Sequence, residues 1–264
     1  MISIKNLSFS YDDKIIFNNL NLTIKNNITT IIGLNGSGKS TLIKILSGLL
    51  DYKGTIRINK LILNKENIVE IRKKIGVVFE NSDSQFVCEK VLDDLIFTLS
   101  NMGFDKYQIE DKIRKIVEAL DINNLLNHDP HSLNTNDKQL VCLALALVHE
   151  PKILILDEAL NMLNPIVKDK VLDLLVKLNK KGLSIINITH DIEQTLISNE
   201  IIVIDKGKVL LKGSKDEIFK NEKQLKELGF KLPFMVELSN RLIFYNLIDH
   251  IIYDMKEMVD ILWK

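Results

Sequence analysis

The densest run of chemistry-bearing residues is Gly33-Leu34-Asn35-Gly36-Ser37-Gly38-Lys39-Ser40-Thr41. It fits G-x-x-x-x-G-K-[ST], the spacing of a phosphate-cradling loop. Glycines let such a loop wrap closely around phosphates and turn successive N–H groups inward, and the helix that follows favours anionic oxygens at its N-terminus. Lys39 adds a point charge for the β- and γ-phosphates of ATP, and the Ser40 hydroxyl is a ligand for Mg²⁺. A second signal is Ile153-Leu154-Ile155-Leu156-Asp157-Glu158, an apolar strand ending in two adjacent carboxylates. Asp157 suits Mg²⁺ through water, and Glu158 suits the positioning and polarising of the water that attacks a γ-phosphate. A third is Asn187-Ile188-Thr189-His190-Asp191, which sets His190 just past another apolar run, on the edge where α/β sheets keep their sites. Apolar strands often end in acidic turns and a strand-end histidine is often structural, so the last two signals are weak alone. Beside the glycine-rich loop they become specific.

These groups need strand ends to hold them. Ile28–Ile32 is a short β-branched run of the kind buried on both sheet faces, and Gly33 ends it. Ile75–Phe79, Lys152–Leu156, Ser184–Ile188 and Ile201–Asp205 read as further buried strands. Helical spacing appears at 39–49, 137–149, 166–180 and 191–198. Such alternation predicts a parallel sheet with helices on both faces. The first residues alternate instead, with Ile2, Ile4, Leu7 and Phe9 as one strand, Ile15 to Ile24 as one or two more and Gly54–Ile58 as another, so an antiparallel edge is expected. From Glu89 to about Leu126 the spacing is helical, as it is beyond Gly213. There Phe234, Leu238 and Leu242 share one face, and Met255, Val259 and Leu262 another.

The 264 residues suffice for one large core and an appendage. Thirty-five basic residues balance thirty-five acidic ones with no basic stripe, so no nucleic-acid partner is expected. The longest apolar run, Leu140–Val148, is about half of the ~20 residues that a spanning helix needs. The N-terminus lacks the charged-then-apolar order of an export signal, so a cytosolic face is expected. Cys88 and Cys142, far apart in apolar contexts, read as two buried free thiols.

With these motifs in order, the chain resembles the ATPase subunit of an ABC transporter over roughly residues 1–225. The resemblance implies an α/β P-loop core with an antiparallel β edge, a helical insertion at about 87–150 and a small helical C-terminal domain at 226–264. It implies that Tyr11 stacks on adenine, that Gly33 to Thr41, including Asn35, Gly36, Ser37 and Gly38, form the Walker A loop, and that Asp157 and Glu158 form Walker B. Glu158 is then the catalytic base and His190 the switch histidine. More narrowly, Gly76-Val77-Val78-Phe79-Glu80-Asn81-Ser82-Asp83-Ser84-Gln85-Phe86 is similar to the GxVFQNPDxQF segment of the ATPases of energy-coupling factor transporters. Leu228-Gly229-Phe230-Lys231-Leu232-Pro233-Phe234 is similar to their C-terminal domain. Those proteins power the import of vitamins and transition-metal ions. The implied partners are a second ABC ATPase subunit, a transmembrane coupling subunit and a substrate-binding membrane subunit, met at the cytoplasmic face of the membrane, with residues 80–86 as the docking surface.

Three departures matter. Glu80 stands where the family has glutamine, still an oxygen ligand for Mg²⁺ but with a charge that the γ-phosphate opposes. Leu133-Asn134-Thr135-Asn136-Asp137 stands in place of LSGGQ, with Asp137 expected to cap the following helix. Asn164 replaces the D-loop aspartate and keeps hydrogen-bonding capacity without charge. The pattern implies a heterodimer with two unequal ATP sites. A weakly hydrolysing regulatory subunit and a soluble ABC ATPase outside transport are the alternatives. The second lacks the coiled-coil insertion, zinc module or tandem ATPase that such proteins need.

Overall fold

The computed structural model describes residues 1–262; Trp263 and Lys264, the end of the expected C-terminal stretch, lie outside the described residues. β1 (Ile2–Tyr11) and β2 (Lys14–Ile24) form an antiparallel hairpin, and β3 (Ile28–Ile32), buried at every position, leads into α1 (Lys39–Leu46). Next come β4 (Lys53–Ile58), β5 (Leu61–Ile62), α2 (Ile68–Arg72) and β6 (Ile75–Val78). Helices α3 (Val91–Asn101), α4 (Lys106–Leu120) and α5 (Thr135–Leu147) fill the chain before β7 (Ile153–Asp157). α6 (Pro165–Lys180), β8 (Ser184–Thr189), β9 (Glu200–Asp205) and β10 (Lys208–Gly213) follow. The chain then runs through α7 (Lys215–Phe219), α8 (Glu222–Glu227), α9 (Phe234–Phe244) and α10 (Met255–Leu262).

The strands form two sheets, an antiparallel one in the order β2-β1-β4-β5 and a six-stranded one in the order β10-β9-β3-β8-β7-β6. The larger sheet is parallel except for β10, which pairs antiparallel with β9. The register sets Ile32 opposite Thr189 and Asp157 opposite Ile188, so the carboxyl ends of β3, β7 and β8 emerge side by side. The three motifs therefore meet at one sheet edge although up to 157 positions separate them (33 to 190).

Strand alternation sorts the core. Leu154, Leu156 and Ile185 pack with Leu95, Leu143, Val171 and Leu175 beneath α3, α5 and α6, while Ile153, Ile155 and Ile186 face Leu42, Ile45 and Leu46 of α1 and Phe17 of β2. A third cluster joins Ile32, Ile201 and Val203 to Ile218, Phe219, Val236 and Ile251. On α9 the buried positions are Val236 and Ser239, whose hydroxyl bonds both backbone groups of Ile252. On the face shared by Phe234, Leu238 and Leu242, Phe234 is 63% exposed and the two leucines are half-buried. On α10, Met258 is buried and Met255, Val259 and Leu262 are exposed.

Other expectations need adjusting. Residues 192–197 form a 3₁₀ helix rather than an α-helix, and the Thr195 hydroxyl bonds the Ile192 carbonyl oxygen at 2.6 Å. Ile15 to Ile24 is one strand. Cys142 is buried, but Cys88 is only half-buried.

Gly76 in β6 marks the tightest helix-on-sheet approach. A Cβ there would lie 2.1 Å from the Ala146 carbonyl oxygen of α5, a backbone atom that cannot move aside. Gly76→Ala should therefore lower unfolding free energy by about 2–3 kcal/mol, read as a lower denaturant midpoint at unchanged slope. A midpoint equal to the parent's would contradict this packing.

Candidate functional site

A cleft of about 420 Å³ opens at the carboxyl edge of the larger sheet, lined by Tyr11, Asn35, Gly36, Gly38, Lys39, Ser40, Thr41, Glu80, Glu158 and His190, together with Lys14, Ile16, Asn161 and Met162. Ten of the thirteen residues singled out from the sequence thus meet in one cleft. Gly33, Ser37 and Asp157 are buried just beneath it.

The loop closes because β3 ends at Gly33, where any Cβ would sit 2.3 Å from the Ile204 carbonyl oxygen of β9. Gly36 and Gly38 have φ of +81° and +105°, in the left-handed region that favours glycine. Gly207 N donates to the Ser37 carbonyl oxygen at 3.0 Å, tying the loop to the β9–β10 turn. The Lys39 ammonium donates to the carbonyl oxygens of Gly33 (2.7 Å) and Leu34 (3.2 Å). Two of its three donors are spent on the loop, and the third is available to a ligand. The buried Ser37 Oγ has no protein partner, as befits a polar atom inside a phosphate cradle. Tyr11, at the end of β1 and 41% exposed, is held edge-on against Phe9 and offers its ring to the cleft.

Asp157 ends β7 almost wholly buried. Ser40 Oγ donates to its Oδ1 at 3.3 Å. Burial, reinforced by the charges of Glu158 and Glu80, pushes its carboxyl up to about 6, against the pull of Ser40 and Lys39. Burial likewise lowers Lys39, which Glu158, Asp157 and Glu80 oppose. The oxygens of Ser40 and Asp157 suit a hard divalent cation. Among the described residues no group of three or more His, Cys, Asp or Glu forms a cage. Mg²⁺ needs none, since it takes most of its ligands from water and substrate phosphates.

Glu158 has φ +52°, a left-handed backbone that costs a non-glycine residue roughly 1–3 kcal/mol. Its N–H donates to the Ile188 carbonyl oxygen at 2.9 Å and holds it there. One carboxylate oxygen lies 3.0 Å from His190 Nδ1, and the other accepts from Asn161 Nδ2 at 2.6 Å and His190 N at 3.3 Å. Asn161 is the contact that sequence reading missed. Its signal was only its place three residues after Glu158.

The altered segments meet each other. Asn134, not Asp137, caps α5, its side chain accepting from Asp137 N at 3.0 Å; the Asp137 carboxylate instead accepts from the side-chain amides of Asn134 (2.8 Å) and Asn136 (3.3 Å). Asparagine is the better cap here because its carbonyl reaches the N3 amide from outside the helix. Asn164 N donates to Asn136 Oδ1 at 3.0 Å, and its side chain caps α6. In the segment 80–86, Ser82 and Phe86 are buried, Phe86 edge-on to His131, while Glu80, Asn81, Asp83 and Ser84 face outward.

A raised Asp157 has a stability consequence. Its folded value exceeds the ordinary 3.8, so the folded chain binds this proton more tightly and loses stability as pH rises from about 4 through 6. Solvent at the cleft mouth screens the effect to on the order of 1–2 kcal/mol. Asp157→Asn should raise the nucleotide-free Tm at pH 8 by about 2–6 °C, leave it unchanged at pH 4, and abolish Mg²⁺-dependent stabilisation by ATP. A lower Tm at pH 8 in a calorimetric scan would contradict the burial argument.

Residues 17–161 match the ABC transporter family. The chain is 37% identical over 251 residues to the energy-coupling factor transporter ATP-binding protein EcfA1 of Lactobacillus johnsonii, covering 92% of this chain and 89% of that one. It is 40% identical to EcfA1 of Bacillus subtilis over 214 residues, 80% and 76% of the two chains. Among solved structures, cbiO1 from Clostridium perfringens, part of an ABC transporter complex, superposes with a TM-score of 0.76 at 30% identity, covering 90% of this chain and 98% of that one. A dimeric ATP-binding cassette bound to ADP and Pi gives 0.73 at 26% identity, with 81% and 98% covered. Motifs, fold and relatives agree: this chain belongs to the ABC transporter ATPases, among the energy-coupling factor transporter ATP-binding proteins.

Proposed function

We propose that the chain powers an energy-coupling factor type importer of vitamins or transition-metal ions, hydrolysing ATP at the cytoplasmic face of the membrane as a peripheral subunit. The observation that carries this reading is the single cleft that unites the loop at 33–41 with Glu158 and His190. Among the described residues no helix is long and apolar enough to cross a membrane, so a transmembrane coupling subunit and a substrate-binding membrane subunit supply the passage. The outward side of residues 80–84 is the surface we assign to the coupling subunit. Ser84 is exposed there, whereas Ser82 is not available.

The residues divide the work. Tyr11 stacks on adenine, and the loop N–H groups with the free donor of Lys39 hold the phosphates. Ser40 and Asp157, with Glu80 at the cleft wall, would hold Mg²⁺, which would supply neutralisation of phosphate charge. Glu158 orients a water for in-line attack and takes up its proton. His190, with Nδ1 3.0 Å from a Glu158 carboxylate oxygen, is the residue we assign to a γ-phosphate oxygen.

A second ATPase subunit completes each site. In ABC dimers, as the family resemblance implies, each nucleotide lies between one chain's Walker A loop and the other's signature segment. This chain's own segment is filled by its side chains: Asn134 takes the α5 cap, and the Asp137 carboxylate stands at the helix start in the field that would otherwise favour phosphate. These observations support a heterodimer whose active site uses this chain's Glu158 and the partner's intact signature.

Complexes with one glutamate disabled at a time test both parts. Glu158→Gln should leave ATP binding intact and lower kcat by about 10²-fold or more. Disabling the partner's Walker B glutamate should leave most turnover in place. Unchanged turnover in Glu158→Gln would overturn the assignment of the base. Equal losses from the two single-site complexes would overturn the asymmetry.

A further inference from the structure

Behind Glu158 runs a chain of side-chain amides that the phosphate chemistry does not itself require. Asn187, in the middle of β8 and 1% exposed, donates through Nδ2 to Gln194 Oε1 at 2.9 Å. Gln194, also 1% exposed, donates through Nε2 to Asn161 Oδ1 and to Asp191 Oδ2, the latter at 3.2 Å. Asn161 completes the run by donating to Glu158 Oε2 at 2.6 Å. Gln194 and Asn161 each accept on the carbonyl and pass a hydrogen bond on from the nitrogen, and Asn187, whose own Oδ1 has no partner among the described residues, donates into the run, so the three dipoles point one way and end on a carboxylate. Bonds so aligned polarise one another, and in a buried setting each is strengthened by the next.

The anchorage of this chain is at its middle member, Gln194. Asp191, whose carboxylate accepts from Gln194, is ion-paired with Lys168 of α6 at 2.8 Å and accepts from Glu193 N at 3.1 Å. Those contacts hold its carboxyl below the usual carboxylate range although burial pulls the other way. Gln194 thus has a charged acceptor beside it that fixes which way its amide points, and Asn187 fixes the other end. Asn161 inherits its orientation from Gln194, with its nitrogen toward Glu158 rather than its oxygen. The loop after β7 and the loop after β8 are joined by this link and by the His190 contact, one to each carboxylate oxygen.

We infer that Asn161 and Gln194 are positioning residues for hydrolysis: the relay from Asn187 aims the Glu158 carboxylate at the attacking water. This rests on Glu158 acting as the base. A glutamate on a left-handed backbone at a cleft mouth has several rotamers open to it. Donors on both oxygens select one of them at no entropic cost in the reaction step. The relay differs from a packing role because it needs a donor at each nitrogen, not a shape. Gln194→Glu keeps the shape of Gln194 but cannot donate to Asn161. Asn161→Asp keeps the shape of Asn161 but replaces its donor to Glu158 with an acceptor.

The test is turnover of MgATP by the full chain in its complex, with the partner ATPase's Walker B glutamate disabled. Asn161→Ala and Gln194→Leu should each lower kcat roughly tenfold or more at unchanged ATP affinity, and the double variant should lose no more than the worse single one. Gln194→Glu should lose as much as Gln194→Leu. The losses should fall on kcat with ATP affinity unchanged, a split that a general loosening of the fold would not produce. Glu158→Gln run alongside separates the two claims. If it abolishes turnover while Asn161→Ala stays within twofold of the parent, the relay is overturned and the base assignment stands. If Glu158→Gln retains full turnover, the base assignment fails first. Losses from the two relay variants that multiply in the double variant would also overturn the relay.

Discussion

Lys39 faces three carboxylates, Asp157, Glu158 and Glu80, at the edge of a sheet that keeps most of them from water. One ammonium cannot balance three carboxylates. Burial raises Asp157 and lowers Lys39. The excess of negative charge among these groups is what a divalent cation would relieve. The fold's task is to hold these groups together against their repulsion. It does so by ending three adjacent parallel strands, β3, β7 and β8, at one level and anchoring the loops behind them.

Rigidity is concentrated where the chemistry needs it. The loop at 33–41 is packed against Ile204 and tied to Gly207, and Glu158 is pinned to β8 through Ile188. At the start of α5 the polar groups are satisfied internally: Asn134 caps the helix, and Asn136 binds the backbone of Asn164. The cleft is open toward a ligand, whereas residues 134–137 are turned in on themselves by local hydrogen bonding.

Much of this was legible because the informative residues obey period and punctuation. Ile28–Ile32 followed by Gly33, and Ile153–Leu156 followed by Asp157-Glu158, announce buried strands with reactive ends, and they lie where expected. What escaped notice depends on tertiary neighbours. Asn161 and Gln194 lie three residues after Glu158 and Asp191, but the bond that joins them spans 33 positions and has no local signal. Ser82 and Phe86 read as loop surface yet fold inward, since Cys142 of α5 and His131 lie beneath them. On α9, the shared face of Phe234, Leu238 and Leu242 marked a helix but not its buried side, which tertiary packing gives to Val236 and Ser239. β10 alternates half-buried and exposed positions with lysines among them, a pattern that an edge strand shares with a loop.

Burial raises the Asp157 carboxyl to about 6, so binding of Mg²⁺ and nucleotide at that pH should displace its proton. Calorimetric binding of a non-hydrolysable Mg²⁺-nucleotide at pH 6, in buffers of different ionisation enthalpy, measures this directly. The expected result is release of about half a proton that is absent in Asp157→Asn. Equal proton release by the two proteins, or none by the parent, would contradict the account.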